Sequence, residues 1–388
     1  MKLLHLLLVG LLVLMPLSYV ASADDDAPAK TKRSAKARKA KETKERDVRK
    51  AANRKKKELR EMGVKNVRVK NPGDWPRKVS VPKDTELAPG PQGGPDFTYT
   101  SNHFLYVSPV KLDAAAQKTV ARLCECAYAA NKAIGEEIPV PRATADRGDK
   151  KFMVQLQPTM EAYFAAGGPR NSAGVFLGAF RRPANVAPGT PQITKEEHIA
   201  MDKVMIPFPS LGIGANGSVV SEDINTHALV HELTHQQFLL NNLPIWANEG
   251  WAEYVGYVPY VGEDLDFDRG FSLILHAAKQ RAESGALDFD FSLEDFFTMD
   301  QQTMYGYMPQ GKDTYMLSVM TVAFFVHLDG KKGVDAMKAY LQALIDGKSA
   351  ADAAQELIKP HRSVERLQQD FIRAWKSKKV KVSFPKKR

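Results

Sequence analysis

Cysteine is nearly absent: Cys124 and Cys126 are the two in 388 residues. Two positions apart on a helix they point in divergent directions, so they cannot bridge to each other. No Cys-x-x-Cys pair and no cysteine-rich cluster occurs, which excludes a thiol redox pair, a cysteine zinc site and a disulfide framework. The fold must then rest on an ordinary apolar core, for which this length is ample. Long apolar runs are lacking as well. The opening stretch, residues 3–17, is broken by His5 and falls short of the about 20 residues that a bilayer span needs. With Met1-Lys2 before it and Ala21-Ser22-Ala23 after it, it reads as a secretory signal peptide over 1–23, cleaved after Ala23. The chain is expected to be exported, periplasmic or secreted, with no transmembrane span after cleavage.

Acidic residues are scarce near both ends. Residues 29–70 hold 19 Lys or Arg against 5 Asp or Glu, and residues 376–388 hold 7 basic residues and no acid. The net charge of +10 therefore describes two basic arms on an acidic body, and the arms are the parts suited to an anionic polymer. Residues 24–71 have too few large apolar side chains to fold alone and read as a disordered, solvated arm. The functional alternative is a tether to anionic envelope lipid or polysaccharide. Nucleic acid is not expected, because the arm has no aromatic side chain on which a base could stack. Residues 72–95 are punctuated by Asn71-Pro72-Gly73, Ala88-Pro89-Gly90-Pro91 and Gly93-Gly94-Pro95 and read as a linker. A single body over 96–375 and a basic tail over 376–388 complete the organisation.

Within the body, strand-like composition at 97–107, 152–157, 174–180 and 204–207 surrounds a helical pattern at 114–135. Helical patterns then dominate from 222 to 375. The expected class is α+β, a small mixed sheet packed on a motif-bearing helix with a helical C-terminal half. That helix carries His231-Glu232-Leu233-Thr234-His235, followed by Asn248-Glu249-Gly250-Trp251-Ala252-Glu253. On a helix His231 and His235 lie one turn apart, so both imidazoles can reach one metal ion. Glu249 is the natural third ligand, and Glu253, one turn further, can orient a ligand histidine through its other ring nitrogen. Glu232 can reach a metal-bound water without displacing it. A shuffled chain of this composition holds the first motif about 0.01 times. His227 extends the ladder by one turn. The outer histidines then lie about 12 Å apart along the axis, too far to share an ion, so His227 is expected to pack or hydrogen-bond.

These two blocks resemble the gluzincin peptidases, the group of thermolysin and the zinc aminopeptidases, and most closely exported bacterial members of that clan. The resemblance spans residues 102–358 but is sharp in the two blocks alone. It implies a zincin-like fold, zinc held by His231, His235 and Glu249, Glu232 as general base, and Glu253 supporting a histidine. It also implies a peptide or protein substrate and an oxyanion donor on a later helix. Tyr315 is the choice for that donor, with Tyr305, Tyr307 and His327 as rivals. The segment between His235 and Glu249 is shorter than in those enzymes, and their Gly-x-Met-Glu-Asn element is missing, so aminopeptidase specificity does not carry over. The expected activity is exported zinc-dependent peptide hydrolysis. The competing expectation is a non-catalytic, zinc-stabilised envelope protein that binds anionic surface polymers through its basic arms.

Overall fold

Period-two alternation builds the sheet. Phe104, Tyr106 and Ser108 on one strand, and Phe152, Val154 and Leu156 on another, are buried while the residues between them are partly exposed, the pattern of strands packed on one face. The computed structural model describes residues 75–385 apart from 82–84, 86, 92–93, 141–149, 171, 179–201, 222–223, 225, 239–242 and 262–263, together with Arg46, Lys50, Asn53 and Lys57. The expected signal peptide and almost all of the expected arm lie outside the described residues. Chain contacts divide the protein into residues 1–50 and 51–388. In the first unit Arg46 and Lys50 are helical and exposed; the sheets and the helices packed on them all belong to the second.

The strands, in chain order, are β1 (Lys78–Ser80), β2 (Ala88–Pro89), β3 (Phe97–Thr100), β4 (Phe104–Ser108), β5 (Phe152–Gln157), β6 (Val175–Leu177), β7 (Lys203–Pro207), β8 (Tyr260–Val261) and β9 (Asp264–Asp266). Six form one sheet in the order β2-β3-β4-β5-β7-β6. Pairing is parallel at β4–β5 and β5–β7 and antiparallel elsewhere. β6 is thus an edge strand, with Phe176 opposite Val204 of β7. β1, β9 and β8 make a smaller antiparallel sheet.

Between β4 and β5 runs α1 (Ala114–Glu137), whose first turn is capped by the Asp113 carboxylate accepting from the Ala116 amide. After α2 (Met160–Ala165) and β7 comes the motif helix α3 (Thr226–Gln237), packed on α1, β6 and β7. Pro244 ends the connection and opens α4 (Ile245–Gly256). The remaining helices are α5 (Phe267–Glu283), α6 (Leu293–Thr298), α7 (Gln301–Gly306), α8 (Thr314–Ala323), α9 (Gly330–Ile345), α10 (Ala350–Ile358) and α11 (Val364–Ser377). α8 continues into a π-helical turn, Phe324–Leu328. The class is α+β, with a helical majority beside a small mixed sheet.

α4 is the central layer, packed between α3 and α8. Trp246 and Trp251 are fully buried and anchor it. Gly250 explains how closely α8 approaches: a Cβ there would stand 2.8 Å from the carbonyl oxygen of Ser318. The helix pair therefore touches through bare backbone.

Two expected boundaries are corrected. The linker over 72–95 contains structure: Trp75 is buried against Trp251 and Tyr254, with ring centroids 6.4 and 5.9 Å away, β1 pairs with β9 and β2 with β3. Its proline and glycine residues punctuate short strands instead of marking a spacer. The basic tail over 376–388 is likewise built into the body as far as it is described. α11 runs to Ser377, Val380 and Val382 are buried, and Lys379 and Lys381 face outward. The Phe289 amide donates to the Ser383 carbonyl at 3.0 Å, and the Ser383 amide to that of Leu287 at 3.1 Å. Lys379 and Lys381 form the wet face of this segment. Cys124 and Cys126 are free and buried. Among the described residues no helix is long and apolar enough to cross a membrane.

Candidate metal centre

α3 and α4 lie side by side, which brings the two sequence blocks together. His231 Nε2 and His235 Nε2 are 2.9 Å apart, and each is 3.5 Å from Glu249 Oε2. The three side chains are about nine-tenths buried, at 10, 11 and 7 % exposure. Four ligands around zinc at 2.0–2.2 Å stand about 3.3 Å from one another along the tetrahedral edges. The observed triangle has that size, and two imidazole nitrogens with one carboxylate oxygen are a donor set that zinc accepts. The residues fit the ion.

Glu253 sits behind this triangle. Its Oε1 is 3.1 Å from His231 Nδ1 and its Oε2 is 3.2 Å from His227 Nε2. His231 thus has one ring nitrogen towards Glu249 and His235 and the other within ion-pair reach of Glu253, the arrangement in which an outer carboxylate can orient a metal-binding ring. Burial alone would lower the His231 pKa, but its polar contacts with Glu249 and Glu253 and the charges of Glu253 and Glu232 raise it well above the ordinary histidine range. Burial likewise pushes both carboxylates up. The charge of His235 and a hydrogen bond to His231 reverse this for Glu249, which falls to about 2. Hydrogen bonds to His227 and His231 bring Glu253 far below the usual carboxylate value. Opposite charges favour the ionised forms of His231, Glu249 and Glu253.

Glu232 points to the sheet side. Its Oε2 accepts from the Phe176 backbone amide of β6 at 2.7 Å, and its carboxylate lies with the imidazoles of His231 and His235 within a 4.8 Å group. The edge-strand amide is a contributor that sequence reasoning missed, because a backbone N–H has no residue type to reveal it. On the opposite side the Tyr305 hydroxyl donates to Glu249 Oε1 at 3.2 Å, and the rings of Tyr305 and Tyr315 stack at 5.9 Å and 10°. Burial, then the charge of Glu249, drives the Tyr315 phenol well above its ordinary pKa, and the same two causes raise Tyr305. Both tyrosines therefore border the ligand carboxylate. The other two rivals do not: Tyr307 packs on Phe291, and the His327 ring shares a hydrogen bond with the Tyr254 hydroxyl inside the core. A scan against protein-family models and a search of curated proteins each find no match to this chain.

Proposed function

We propose that the protein is an exported zinc-dependent peptidase of the gluzincin type, with a zincin-like fold, acting on peptide or protein substrates. The convergence of His231 Nε2, His235 Nε2 and Glu249 Oε2 on a triangle 2.9 to 3.5 Å on a side carries this reading. These three residues would hold the ion. When bound, zinc supplies a water acidic enough to ionise near neutral pH and a Lewis acid for a carbonyl. Glu232 is the base that accepts a proton and returns it to the leaving amine, and the Phe176 amide keeps its carboxylate turned to the cleft. Tyr315, like any tyrosine near its ordinary pKa of about 10, keeps its proton at neutral pH, and burial raises it further, so it serves as a hydrogen-bond donor to a developing oxyanion. An extended peptide would add beside β6, an edge among the described strands, through groups other than the Phe176 amide, which Glu232 occupies.

Cleavage of casein or a peptide library by the zinc-loaded wild type and by Glu232→Gln tests the proposal. Turnover should fall about 100- to 10,000-fold in the variant, the range of a lost general base, with zinc content unchanged. Equal cleavage by both would remove Glu232 from the reaction. No cleavage at any metal loading would favour the zinc-stabilised binder of anionic polymers.

A further inference from the structure

His227 takes no part in the ligand triangle, yet it does not stand alone. Glu253 divides its two oxygens between two imidazoles, Oε1 at 3.1 Å from His231 Nδ1 and Oε2 at 3.2 Å from His227 Nε2. A carboxylate with one partner can swing about its terminal torsion, which is broad and soft; one with a partner on each oxygen cannot. The His227 ring is itself held. Tyr257 meets it edge-on at 4.7 Å and 89°, and the His231 ring lies nearly parallel at 6.2 Å and 18°. The close approach of α4 at this point depends on Gly256, where a Cβ would stand 3.4 Å from both His227 Nε2 and His231 Cβ.

We infer that His227 is a positioning residue for the metal centre: its Nε2–H anchors Glu253, so that the other carboxylate oxygen fixes the His231 ring with Nε2 turned to Glu249 and His235. This role rests on the proposed metal centre and adds a third layer to it. Apart from its ring packing on His231, His227 reaches the triangle through Glu253.

The test compares zinc affinity, by competition with a chromophoric chelator, across the wild type, His227→Ala, His227→Gln, Glu253→Ala and the His227→Ala/Glu253→Ala double variant. Outer-shell partners typically contribute 10- to 100-fold in affinity. Glu253→Ala should lose about that much, and His227→Ala, one step further out, about 3- to 10-fold. His227→Gln, which keeps a side-chain N–H, should recover part of the loss. The double variant should bind no more weakly than Glu253→Ala, because the path is already cut. Full affinity in His227→Ala, or additive losses in the double variant, would overturn the inference. So would a second bound zinc in the wild type that disappears in His227→Ala, since His227 would then be a ligand. A crystal structure of metal-free His227→Ala separates the two levels. Glu253 should leave its contact with His231 Nδ1; a Glu253 that stays in place sinks the positioning role, whereas a wild type that binds no zinc sinks the metal centre itself.

Discussion

At the scale of single residues, the proposed ligand triangle of His231, His235 and Glu249 would need its carboxylate to present one oxygen and not two. Tyr305 supplies the reason: its hydroxyl occupies Glu249 Oε1 and leaves Oε2 for the histidines. Tyr305→Phe removes one hydroxyl at a partly buried position on α7. Zinc affinity, measured by chelator competition, should fall about 10-fold, the lower end for an outer-shell partner, with the melting temperature nearly unchanged. The side chains proposed as ligands were legible as a group because a helix turns every interval of four residues into a shared face. Tyr305 and Phe176 were not legible in these roles. Their contact with the centre depends on how α7 and β6 dock, and no short-range spacing encodes docking.

At the scale of elements, α4 is held between two neighbours, and its close seat on α8 is made possible by a missing side chain. Gly250→Ala would place a Cβ 2.8 Å from a backbone oxygen that cannot swing aside. Overpacking of this kind costs about 1–3 kcal/mol, and urea unfolding should report a loss of that size. A second junction joins the end of the π-helical turn, the turn Lys359–His361 and α11. The buried His361 ring places Nε2 3.1 Å from Asp329 and Nδ1 3.0 Å from Asp370. Lys332 adds a cation 3.1 Å from Asp329, and Arg366 and Arg373 pair with Asp370. Burial disfavours the charged ring, but Asp329 and Asp370 outweigh it, so the His361 pKa is raised. Burial disfavours the Asp370 anion, but its hydrogen bond to His361 and the charge of Arg366 outweigh that, so its pKa is lowered. A raised histidine stabilises fully below its unfolded pKa of about 6.5 and loses this as pH climbs through the folded value; a lowered aspartate stabilises above about 3.9 and loses this as pH falls through its folded value. The stability gap between wild type and His361→Ala should therefore be widest between about pH 4 and 6.5, at about 2 kcal/mol for an orphaned buried acceptor. Melting curves across pH 3–9 would check it, and a gap that stayed flat with pH would contradict the ion-pair account.

At the scale of the whole molecule, the helical half and the sheet strands were readable from periodicity, whereas both expected ends of the body were drawn too tightly. Composition around Pro89 and Gly90 resembles a spacer, but Trp75 on its far side fills the core beside Trp251, and one indole outweighs a dozen polar neighbours. The lysines after α11 masked Val380 and Val382 in the same way. The proposed metal centre is drawn from one short stretch, His231 to Glu253. The two helices that carry these side chains are fixed from behind by Leu229, Val230, Leu233, Trp246 and Trp251, all buried, so the scaffold rests on its apolar core, whatever the site holds. Removing zinc with EDTA should then leave the far-ultraviolet circular dichroism intact and lower the melting temperature only by the mass-action amount set by affinity. Re-adding zinc should restore the starting curve without a refolding lag. If the proposed site binds zinc, a protein built in this way would be emptied and refilled many times over, and the metal supply of its surroundings, more than its own folding, would govern how much of it is loaded at any moment.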